Sequence, residues 1–79
     1  MNEPDNLTGW IDPTGRAWVR VDDCPGSLGP WWCRLADSPS IGAAHDWETV
    51  AFLWKGSLTP ASPDLTAETI ELVRQEVAR

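Results

Sequence analysis

The chain is 79 residues long, carries six Trp and has a net charge of −6. That acidity opposes direct binding to nucleic acid or to a membrane surface, and no apolar run approaches the length that spans a bilayer. The N-terminal MNEPDNLTG has no basic-then-apolar leader pattern. The expectation is a soluble, intracellular protein with a polar lead-in over residues 1–6 and a single small α+β domain over residues 7–79. A core of this size is marginal, and the Trp residues, each able to bury about 150–250 Å², are the compensating feature.

The strongest local signal is GWIDPTGRAWVRV, residues 9–21. Asp12, Pro13 and Gly15 hold the first, second and fourth positions of a type I turn closed by a left-handed Gly, which makes a three-residue hairpin loop with a bulge. The turn sets strands over 7–11 and 16–21 in a register where Trp10 faces Trp18 and Ile11 faces Ala17. Alternation then gives a core face of Leu7, Ile11, Ala17, Val19 and Val21. The opposite face carries Thr8, Trp10, Asp12, Arg16, Trp18 and Arg20. Residues 22–30, DDCPGSLGP, read as a loop. A third strand follows over 31–36. Paired antiparallel beside the second, it is expected to add Trp31, Cys33 and Leu35 to the aliphatic core and Trp32 and Arg34 to the Trp face. A slip of one residue would reverse this.

Residues 37–44 read as a second loop. Over 45–55, Trp47, Val50, Ala51 and Trp54 recur at helical spacing. Asp46 suits the N-cap, Glu48 the first turn and Gly56 the left-handed end. A strand over 50–54 is the competing reading. Residues 57–61 form a connector from which Leu58 can dock. Ser62 as N-cap and Pro63 at the first helical position start a final helix to about residue 78. Its apolar stripe is Thr66, Ile70, Val73 and Val77, widened by Leu65 and Leu72. The order β-β-β-α-α predicts a three-stranded antiparallel sheet with both helices packed on one face.

Little in the chain points to catalysis. Cys24 and Cys33 read as two reduced thiols. The alternatives are a disulfide, or a zinc site with His45 and Asp46, which lacks the close ligand pairs that set tetrahedral geometry. His45-Asp46 is the only adjacent His–carboxylate pair, and no nucleophile stands in a recognisable setting beside it. Gly26-Ser27-Leu28-Gly29 lacks the Lys and the strand–helix context of a phosphate loop, and no cofactor motif is present. Asp22, Asp23, Asp37, Asp46, Glu48, Asp64, Glu68 and Glu71 could mimic a phosphate backbone, or could simply keep a Trp-rich chain soluble.

The sharpest candidate is a partner-binding surface of Trp10, Trp18 and Trp32 with Arg16, Arg20 and Arg34. Trp and Arg dominate protein–protein hot spots, and Arg stacked on Trp adds cation–π stability. The competing reading buries these Trp under a helix with Trp47 and Trp54. That would leave Ile11, Val19, Val21 and Leu35 to a partner or a second copy.

Three stretches carry a likeness to known proteins: G-W-I-D-P-T-G-R-A-W-V-R, then G-P-W-W, then D-W-E-T-V-A-F-L-W-K-G-S-L-T-P before a terminal helix. Over residues 9–60 the chain resembles small uncharacterised accessory proteins of actinobacteria and their phages, which combine a D-x-x-G hairpin with a W-x-x-V…G-x-L-x-P segment. The resemblance implies a phage or prophage accessory protein, and no catalytic residues carry over from that group. The expected function is a non-enzymatic protein-binding module of the host cytoplasm that binds or inhibits a host protein, with a homodimer as a variant. The alternative is an acidic nucleic-acid mimic that occupies a host nucleic-acid-binding protein.

Overall fold

Asp12 closes the hairpin. Its amide donates to the Arg16 carbonyl at 2.9 Å, and its carbonyl accepts from the Gly15 amide at 3.0 Å. Gly15 takes φ +87°, the left-handed value this loop needs and a side chain resists. The computed structural model describes residues 4, 8–24, 28–35, 37–42 and 44–78. The expectations for Leu7, for most of the lead-in, for Gly26-Ser27, for Ala36 and for Arg79 lie outside those residues. Within them, β1 (Trp10–Ile11) runs antiparallel to β2 (Arg16–Arg20) with Trp10 opposite Trp18 and Ile11 opposite Ala17. That is the register the turn residues predict.

β3 (Trp31–Leu35) lies antiparallel on the other side of β2, but one residue out of the expected parity. Cys33 is opposite Trp18, Trp32 opposite Val19, and Arg34 opposite Ala17. Trp31 and Cys33 therefore join the Trp face, while Trp32 and Arg34 join the aliphatic face. The reason is the connection. A nine-residue loop imposes no register, so packing on the two faces decides it. The outer edge of β3 is met by Ile41 and His45, through backbone pairing of Trp31 with His45 and Arg34 with Ile41, which leaves less edge exposed to other chains.

The sheet has four strands rather than three, in the order β3-β2-β1-β4. β4 (Thr59–Pro60) falls in the segment expected to be a connector, and pairs antiparallel with β1. It is two residues long and contains Pro60, so it has neither alternation nor β-propensity to announce it. Proline lacks an amide and suits the edge strand where it sits.

α1 (Trp47–Trp54) begins where Asp46 Oδ1 accepts the Thr49 amide at 2.8 Å. It ends on two left-handed residues, Lys55 at φ +46° and Gly56 at φ +84°, with the Lys55 amide returning to the Ala51 carbonyl. α2 (Pro63–Val77) begins at Ser62, whose Oγ accepts the Leu65 amide at 3.1 Å. Both N-caps are the residues the sequence nominates.

The helices do not share a face. α1 covers the Trp face: Trp18, Trp31, Cys33, Trp47 and Val50 are buried together, with Trp10, Ala51, Trp54 and Leu58 packed around them. α2 covers the aliphatic face: Val19, Val21 and Val73 are buried with Trp32, Ile41, Ile70 and Val77 against them. The expectation of two helices on one face fails for a simple reason. Both faces of a sheet this apolar must be removed from water, and one helix is spent on each.

Gly9 allows α2 to close on the sheet. Its amide donates to Thr66 Oγ1 at 3.2 Å, and a Cβ there would stand 2.7 Å from the same oxygen.

Candidate functional site

Of the six nominated partner-binding residues, two are interior. Trp18 and Arg34 are each 3% exposed. Trp10, Trp32 and Arg20 are half-buried, and Arg16 is exposed. Register puts Trp10, Arg16, Trp18 and Arg20 on the α1 side of the sheet, and Trp32 and Arg34 on the α2 side. A single Trp/Arg surface is therefore not assembled.

Trp18 is held by Asp12. The indole Nε1 donates to Asp12 Oδ2 at 2.7 Å. Asp12 Oδ1 accepts from the Thr14 hydroxyl at 2.6 Å and from the amides of Thr14 and Arg16 at 2.9 and 3.0 Å. Burial pushes this carboxyl up, but the donors from Thr14, Trp18 and Arg16 outweigh it and hold it below the ordinary value of 3.8. The Asp that shapes the turn is thus the acceptor that orients a core Trp.

Arg34 is a core strut. Its Nε donates to Thr69 Oγ1 at 3.0 Å, and its Nη1 donates to the Ser38 carbonyl. Its Nη2 lies 3.2 Å from Glu68 Oε2. A charge expected on a surface is instead received by α2 and by the loop after β3, as a buried guanidinium must be.

The other candidate chemistry is dispersed as well. Cys33 lies in the Trp cluster and Cys24 against the opposite one, so the sheet separates them, and neither is in a disulfide. Burial raises the Cys33 thiol above its usual range, with Arg16 opposing and Asp12 adding to the shift. The His45 ring is 5.8 Å from Trp18. Asp46 is held low by hydrogen bonds from the Thr49 hydroxyl and amide, as its capping role requires. No group of three or more His, Cys, Asp or Glu is placed to hold a metal ion among the described residues. Three of the acidic groups are in ion pairs: Asp22 with Arg20, Asp23 with Arg74, and Glu68 with Arg34.

Four large apolar side chains are exposed among the described residues: Leu28 at 62%, Leu35, expected in the core, at 45%, and Phe52 at 73% and Leu53 at 51%, consecutive on the outside of α1. The helix reads WETVAFLW, with apolar residues on its outer side as well as along its inward stripe. A helix apolar all round is normally buried on all sides. Among the described residues, the side bearing Trp47 and Val50 is packed, while Phe52 and Leu53 stay exposed. The sequence carried this signal in the unbroken run Val50-Ala51-Phe52-Leu53-Trp54: Phe52 and Leu53 fall outside the helical stripe, and attention to the stripe alone passes over them.

Compared with known proteins, the chain matches no protein-family model, no curated protein and no solved structure. Among the described residues, no helix is long and apolar enough to cross a membrane.

Proposed function

We propose that this chain is a non-enzymatic protein-binding module, an accessory protein of phage or prophage origin that engages a host protein in the host cytoplasm through the outer face of α1. The observation that carries this reading is the exposure of Phe52 and Leu53 side by side on a short helix whose other side is packed. Large aromatic side chains in contiguous apolar patches are typical anchors of protein contacts, and the residues Glu48 and Lys55 beside them supply a polar rim. The motif resemblance over residues 9–60 supports the phage or prophage origin.

The test is capture from a lysate of an actinobacterial host on the immobilised chain. Phe52→Asp is expected to abolish capture of the partner while leaving far-UV circular dichroism unchanged, because Phe52 contributes little to the core. Unchanged capture by this variant overturns the assignment. Salt-sensitive retention of a nucleic-acid-binding protein, indifferent to Phe52→Asp, would favour the acidic mimic instead.

A further inference from the structure

Phe52 stands on the outer face of α1 with Glu48 one turn before it and Lys55 about one turn after. Lys55 Nζ is 5.8 Å from the centre of the Phe52 ring. Opposite charges thus flank an exposed aromatic ring, seven residues apart, or about 10 Å along the axis. Beside this ridge runs a shallow groove lined by Trp47, Glu48, Ala51, Phe52, Lys55 and Gly56. Ala51 is the smallest residue that α1 itself contributes to this lining. A ridge adjoining a groove, with charge reversed from end to end, is complementary to itself under a two-fold rotation. That is the requirement for an isologous interface.

We propose that the outer face of α1 is covered by a second copy of this chain, with α1 packed antiparallel on α1. An axis passing between Ala51 and Phe52 sets Phe52 of each copy over Ala51 of the other. The same axis brings Glu48 of each copy to Lys55 of the other. The inference rests on the reading of this face as a protein contact, and it makes the homodimer a competitor of the host complex. Two eight-residue helices fall short of the roughly 1,200 Å² that stable specific interfaces bury, so the dimer is weak and exchanges readily. The charge of −6 on each copy opposes association, and a screening length of about 8 Å at physiological salt confines that repulsion.

Sedimentation equilibrium of the full chain at physiological salt tests this. Between about 10 µM and 1 mM, the weight-average mass is expected to rise from 8.7 kDa toward the dimer value. Phe52→Asp is expected to stay monomeric with its circular dichroism unchanged. Glu48→Lys and Lys55→Glu are each expected to weaken the dimer severalfold, and the double reversal to restore it. The reversals place unfavourable charges at both helix ends, so restoration by the pair cannot come from helix stability. A mass constant at 8.7 kDa, a dimer that survives Phe52→Asp, or a double reversal that fails to restore it overturns the proposal. A monomeric chain whose host capture still depends on Phe52 overturns the dimer alone. A dimer whose host capture ignores Phe52→Asp overturns the host reading alone.

Discussion

Asp12 does two jobs with one carboxylate: it closes the hairpin loop and fixes the Trp18 indole. Its pKa is lowered in the folded chain from the ordinary 3.8, so its contribution is full above that value and is lost as pH falls through the lower folded value. The urea midpoint should therefore hold level from neutral pH to about pH 5 and fall below about pH 4. Asp46, also lowered, adds to the same slope. Asp12→Asn is expected to cost about 1–3 kcal/mol at neutral pH and to flatten that slope without abolishing it; a slope equal to the wild type would show that Asp12 is not the titrating group. The six Trp are not equivalent either. Trp18 has an acceptor for its N–H, whereas the buried indole nitrogen of Trp32 has none among the described residues. Trp18→Phe strands Asp12 Oδ2 and should cost about 1–3 kcal/mol. Trp32→Phe carries the same loss of ring volume but strands no acceptor, so it should cost less than Trp18→Phe, and the reverse order in denaturant titrations would contradict the assignment.

At the scale of elements, α2 is locked to the sheet through Arg34 and Gly9. Arg34→Ala removes a buried stem and the donors to Thr69 and the Ser38 carbonyl, and should cost about 2–4 kcal/mol. Glu68 is 63% exposed, so Glu68→Gln should change stability by less than about 1 kcal/mol. Similar losses from the two substitutions would show that the ion pair, rather than the buried strut, matters. These elements also show what the residues announce. The β1–β2 register is legible because Asp12, Pro13 and Gly15 fix a loop of defined length. Both helix starts are legible because Asp46 and Ser62 cap them with their own side chains. The parity of β3 is not legible, because residues 22–30 transmit no register and WWCRL offers a large apolar residue to either face. Arg34 is misplaced for the same reason: its charge suggests a surface until α2 supplies Thr69 and Glu68. β4 is invisible because two residues, one of them proline, carry no period.

At the scale of the molecule, a four-stranded sheet lies between two helices that each cover one face. The Trp-rich interior leaves no Trp/Arg platform for a partner. It shifts the question of function to the outer side of α1, a short helix that exposes Phe52 and Leu53 opposite its packed side. Phe52 would gain about 1.5–3 kcal/mol from full burial, and in the isolated chain that gain is not taken. The most direct measurement is photo-crosslinking in host cells from a benzophenone amino acid placed at position 52, with one at the exposed position 71 of α2 as the comparison. The account predicts adducts from position 52, to a host protein and to a second copy of the chain, and none from position 71. Adducts from position 71 with none from position 52 would contradict it.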